Sequence, residues 1–118
     1  MDEKVILLIK KLIDTVDYPG INWEEGSRTN QYTLNIGKGL VMISYLPGGD
    51  GECYEIDILN EFGVAIESAV VTDYYRDPLE EEVYGDLKNL YTLVDRKVRN
   101  IDGIIDSMLK ELDSKFPI

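Results

Sequence analysis

At 118 residues the chain suits one domain, 1–118, and an apolar fraction of 44% is ordinary for a globular protein with one modest core. A formal charge of −11, from 23 acidic and 12 basic residues, disfavours nucleic acid and anionic membrane as direct partners, because both need lysine and arginine to neutralise phosphate. With no histidine and one cysteine, Cys53, the sequence offers no usual general base, no thiolate metal cage and no internal disulfide.

The chain opens with an apolar run over 5–9 that Lys10, Lys11 and Asp14 cut short. Val5, Leu8, Ile9, Leu12, Ile13 and Val16 share one helical stripe, so the first element is read as a core helix ending before Tyr18 and Pro19. No small-residue cleavage site follows, and no segment reaches the roughly 18 apolar residues that span a bilayer. Size, this lack of targeting and the lone cysteine give the general look of a small bacterial cytoplasmic protein.

Beyond a polar loop carrying Trp23, the period changes from helical to alternating. Tyr32, Leu34 and Ile36 point one way, Gln31, Thr33 and Asn35 the other; Gly37, Lys38 and Gly39 then turn the chain into a second strand over 40–46. Residues 47–51 (PGGDG) form the strongest turn signal, since glycine permits positive φ and proline fixes its own. A third strand over 53–59 sets Tyr54, Ile56 and Ile58 against Glu55 and Asp57. After a turn at 60–63, a fourth over 64–71 sets Ile66 and Val70 inward and Glu67 outward. Short connections make this an antiparallel meander of four strands.

The last element is one long amphipathic helix over 77–112, or two in series, with Val83, Leu87, Leu90, Val94, Val98, Ile101, Ile105, Met108 and Leu112 at helical spacing. Asp77 is the expected N-cap, Pro78 fits the first turn, and Glu80, Glu81 and Glu82 match the helix dipole. Those glutamates diverge by about 100° per residue, which argues against a metal site. Gly85 and Gly103 each cost near 1 kcal/mol in a helix and mark candidate breaks, but the apolar stripe runs through both and favours a continuous or gently kinked rod. The expected class is α+β: N-terminal helix, four-stranded antiparallel meander, long C-terminal helix, both helices on one face of the sheet.

A rod over 77–112 would run roughly 50 Å at about 1.5 Å per residue, whereas seven-residue strands are about 23 Å long. The surplus half, with Ile101, Ile104, Ile105, Met108 and Leu109, is as apolar as the first, and such a patch usually marks an interface. A twofold homodimer through paired C-terminal helices covers it. The competing arrangement bends the rod near residues 100–103 and folds it back on its own domain.

Charge divides unevenly. Residues 17–78 hold eleven acids against Arg28, Lys38 and Arg76, while 1–16 are balanced and 79–118 hold nine acids against six bases. Glu55 and Asp57, two apart on one strand, with Glu67 on the next, form a candidate acidic surface for a basic partner protein; Tyr74 and Tyr75 beside Arg76, and Trp23, are candidate aromatic anchors or else cap the end of the core. Arg96, Lys97 and Arg99 are the basic cluster, with Asp95 and Asp102 in reach for local ion pairs. The carboxylates could also hold calcium or magnesium, but a solvated sheet face explains them more simply. No catalytic residue, cofactor site or metal site is expected. Three functions fit: a non-enzymatic domain self-associating through the C-terminal helix; an acidic inhibitor, such as an immunity protein or nucleic-acid mimic, occluding a basic partner; and a carboxylate-based metal or small-ligand site.

Overall fold

The structure is a computed structural model that describes residues 2–47, 51–74 and 77–115. In chain order it contains α1 (Glu3–Thr15), β1 (Glu24–Glu25), β2 (Gln31–Ile36), β3 (Gly39–Leu46), β4 (Cys53–Asn60), β5 (Ala65–Thr72), α2 (Pro78–Val98) and α3 (Ile101–Lys115). The fold is α+β, an antiparallel meander in the order β1-β2-β3-β4-β5 with α1 and α2 on one face.

The expected meander gains a fifth strand. Glu24 and Glu25 pair with Thr33 and Tyr32, and two residues are too few to show an alternating pattern. Within β2 to β4 the alternation carries the fold: Tyr32, Leu34, Val41, Ile43, Tyr54 and Ile56 are buried on the helix side. Val5, Ile9, Leu12 and Val16 of α1 meet them together with Tyr84, Leu87, Leu90 and Val94 of α2, and Trp23 closes the same core. Trp23 is therefore a core residue and not an exposed anchor. The turn expected at 47–51 falls largely outside the described residues. The one at 60–63 is an Asx turn, in which Asn60 Oδ1 accepts from the amides of Phe62 at 2.9 Å and Val64 at 3.1 Å.

The facing of β5 is the reverse of the expected one. Its register sets Val70 opposite Glu55 and Ser68 opposite Asp57, while Ala69 pairs with Ile56 and Glu67 with Ile58. Paired residues share a face, so Ala69 and Val71 pack towards the helices and Val70 stands on the open side, 55% exposed. A register shift lies at Ile58 and Leu59. The strand sequence AIESAVVT has apolar residues at both parities, so alternation alone could not choose between the faces.

α1 and α2 are capped and tied by specific polar contacts. Asp2 accepts from the Lys4 amide at 2.7 Å, and Asp77 accepts from the Glu80 amide at 2.9 Å, as its N-cap position predicts. Lys10 reaches Glu82 and Asp86 at 2.8 Å each, joining the helices across their exposed edge. Hydrogen bonds to Asp86 and then Glu82 hold the Lys10 ammonium above its ordinary range. Lys97 donates to the carbonyls of Val16 and Ile21, so the end of α2 satisfies the chain leaving α1.

Of the two arrangements open to 77–112, a continuous or gently kinked rod and two helices in series, the chain takes the second. α2 stops at Val98, Asn100 adopts φ 53°, and α3 begins at Ile101. Asparagine tolerates the left-handed region better than most residues, and the Asn100 amide donates back to the Lys97 carbonyl at 3.1 Å, a left-handed helix stop. Gly103 has its own part here. A Cβ on it would come within 2.3 Å of Asn100 Oδ1, so the glycine lets the capping side chain lie against the first turn of α3. Replacing Asn100 by alanine, which lacks that tolerance, is expected to cost about 1 kcal/mol, read as a lower midpoint in thermal unfolding.

Candidate interaction surfaces

The break at Asn100 redirects the chain without returning it to the core. α3 buries none of its residues, and it does not fold back on the domain. Ile104 is 48% exposed, Ile105 45%, Met108 59%, Leu109 53% and Leu112 55%; Ile101, at the junction, is half-buried. At about 100° per residue these six side chains occupy one arc of roughly 140°, wider than a minimal coiled-coil seam and typical of a helix that covers a surface. The acids Asp102, Asp106 and Asp113 lie along one flank. Lys115 pairs with Glu111 at 3.0 Å on the other. The projection shows in the dimensions: a radius of gyration of 16.7 Å and a long axis of 53 Å. A compact chain of this length would have a radius of gyration of about 13.5 Å.

The acidic sheet surface is only partly assembled. Glu55 and Asp57 lie side by side on the open face, with Ser68 donating to Asp57 Oδ1 and Val70 opposite Glu55. Hydrogen bonding to Asp57, then burial and the neighbouring negative charge, hold the Glu55 carboxyl above the usual range, and Arg28 opposes this. Glu67 shares the side of Ile58 and does not join the pair. Among the described residues no group of three or more Asp, Glu, Cys or His side chains is close enough to hold a metal ion. Cys53 is a free, half-buried thiol. Tyr74 is 69% exposed beside the start of α2, and Tyr75 lies outside the described residues.

The basic cluster is engaged locally. Arg99 meets Asp95 at 3.5 Å, Arg96 meets Asp102 at 2.5 Å across the α2–α3 junction, and Lys97 is held by backbone carbonyls. A role as a free cationic patch is thereby reduced.

Five tyrosines form a feature that single-strand alternation did not bring together. Tyr32, Tyr45 and Tyr54 from three adjacent strands meet Tyr84 and Tyr91 of α2, with ring centroids 5.2 to 6.1 Å apart. Tyr84 and Tyr91 are seven apart, two helical turns, and this is the signal in the sequence that could have found the cluster. Its hydroxyls reach outward to charged groups: Tyr32 donates to Asp95 at 2.5 Å and Tyr84 to Glu52 at 2.7 Å. Lys88 also reaches Glu52, at 2.9 Å. The Lys88 bond, followed by the Tyr84 bond, keeps the Glu52 carboxyl below its ordinary range.

No protein-family model matches the chain, and no curated protein and no solved structure matches it either. Among the described residues no helix is long and apolar enough to cross a membrane.

Proposed function

We propose that the protein is a non-enzymatic interaction domain that pairs with a second copy of itself through α3. The observation that carries this reading is the apolar arc of α3, in which Ile104, Ile105, Met108, Leu109 and Leu112 are exposed and Ile101 is half-buried at the junction. Ile101, Ile105, Met108 and Leu112 follow one another at steps of four, three and four, a heptad seam that reads the same in either direction. In an antiparallel twofold pair, Ile101 would meet the partner's Leu112 and Ile105 the partner's Met108. Such self-complementarity is what an isologous interface requires. The six side chains offer on the order of 500 Å² of apolar surface per protomer, so two protomers together approach the ~1,000 Å² expected of a specific interface.

A reading without catalysis is supported by the lack of histidine and by the domestic use of its carboxylates in caps, ion pairs and phenol hydrogen bonds. A cytoplasmic setting belongs to the same reading, supported by the lone free cysteine. The acidic-inhibitor reading ranks second, because Glu67 is turned away from Glu55 and Asp57 and the field expected of the three is divided between two faces.

Sedimentation equilibrium from micromolar to millimolar protein is expected to give twice the 13.4 kDa chain mass. The exposed substitutions Ile105→Lys and Met108→Lys should leave the circular dichroism spectrum unchanged and lower the mass to that of one chain. A wild-type mass of 13.4 kDa at millimolar concentration would remove the proposal.

A further inference from the structure

The two edges of the sheet are finished differently. At one, β1 is a two-residue strand made of Glu24 and Glu25, short and charged, the usual way to stop a sheet from pairing with another chain. At the other, β5 runs for eight residues, Ala65–Thr72, with no proline and no lysine, and Glu67 is its single charged side chain. Among the described residues only β4 pairs with β5, so its outer backbone edge is open. Beside that edge, on the helix side, runs a groove lined by Ala69, Val71, Tyr74, Leu79 and Val83. Val83 is buried, but it stands apart from the main core, while Leu79 is 51% exposed at the groove's rim.

We propose that the β5 edge is a strand-addition site for an extended basic segment of another protein. Backbone amides and carbonyls along an open edge are satisfied by an extended chain, which specifies the conformation of the occupant. The groove specifies one set of its side chains. Successive strand residues point to opposite faces, so alternate apolar residues would enter between β5 and the first turns of α2. Charge specifies the other set. Residues 61–81 carry six acids (Glu61, Glu67, Asp73, Asp77, Glu80 and Glu81) against Arg76 alone, a net of −5, and Glu82 beyond them is paired with Lys10. The occupant's remaining side chains would lie over the open face, one strand from Asp57 and Glu55. The same concentration of acid around the edge disfavours a second copy of β5 as the occupant, because two such segments would repel. This surface is separate from α3, so it neither needs nor supplies the dimer.

The test uses the full-length protein and the labelled peptide acetyl-(Lys-Val)4-amide, followed by fluorescence anisotropy and by amide chemical shifts. Saturable binding is expected, with shifts confined to β5 and to Leu79 and Val83, and with affinity at least tenfold weaker when the four central peptide amides are N-methylated. The surface variants Glu67→Lys and Ser68→Lys, both at exposed positions, should each weaken binding several-fold while keeping the wild-type circular dichroism spectrum. The peptide acetyl-(Glu-Val)4-amide should not bind. Ile105→Lys, which tests the dimer, should bind the lysine peptide as wild type does, so the two proposals fail separately. Absence of binding at millimolar peptide, equal binding of the N-methylated or glutamate peptide, or shifts centred away from β5 would each overturn the assignment.

Discussion

Leu90→Ala is expected to destabilise the protomer by about 2–5 kcal/mol, the range for a buried leucine whose site cannot collapse. Leu90 has no exposed surface, and with the equally buried Leu87 and Val94 it forms the line along which α2 sits on the sheet. Domains of this size have stabilities of about 5–15 kcal/mol, so one such truncation consumes a large share of the total. Urea unfolding should show a lower midpoint with an unchanged slope, since the native state keeps its shape and the unfolded state exposes nearly the same surface. In the Ile105→Lys background, where the proposed pairing is removed, Met108→Ala, at an equally apolar position of α3, should alter protomer stability by no more than about 0.5 kcal/mol, because its surroundings there are solvent. The contrast between the two substitutions separates the half of the C-terminal pattern that builds the domain from the half that does not. A cost below about 1 kcal/mol for Leu90→Ala would contradict the packing of α2.

The same contrast explains what the sequence could and could not convey. Val83, Leu87, Leu90 and Val94 and then Ile101, Ile105, Met108 and Leu112 form a single periodic series, and periodicity records which residues would share a face if the helix continued. It does not record one backbone dihedral. The stop is made by Asn100 at φ 53°, within the 100–103 stretch where a bend is the competing arrangement, and nothing in the apolar pattern changes there; helix propensity points to Gly85 and Gly103, which lie inside helices, Gly103 in the first turn of α3. In β2 and β4 the alternation of apolar and polar residues identified Tyr32, Leu34, Tyr54 and Ile56 as inward, because Thr33, Asn35, Glu55 and Asp57 mark the other parity. β5 has none, and its facing is decided by register against β4, a non-local property. That one ambiguity dissolved the expected trio of Glu55, Asp57 and Glu67. The sequence leaves Trp23 open between anchor and core cap for a related reason: a lone aromatic in a loop has no periodicity to reveal which side it faces, and here it closes the core.

Above pH 10 the tyrosine cluster is expected to unfold the domain. Burial, followed by the hydrogen bond to Asp95, raises the Tyr32 phenol well above its ordinary value of 10, and burial with the bond to Glu52 does the same for Tyr84. Burial also raises Tyr54, and Tyr91 is pushed up to about 12, with the Asp95 charge adding to the effect of burial. A phenol whose value is higher in the folded state stays protonated there while the unfolded chain has begun to ionise. Its contribution to stability is therefore complete below about pH 10 and is lost as pH rises through the folded value, about 12 for Tyr91. Several phenols acting together make the loss steep, because each ring would have to ionise against a carboxylate or inside the same ring cluster. Absorbance at 295 nm, followed together with circular dichroism, should show Tyr32, Tyr54, Tyr84 and Tyr91 ionising only as the ellipticity collapses. Tyr32→Phe keeps the ring but removes the bond to Asp95; it should cost about 1 kcal/mol at neutral pH and make the alkaline transition shallower. Ionisation of these four phenols near pH 10 in a protein that remains folded would show that the cluster is open to water and that its hydroxyls are not held by Asp95 and Glu52.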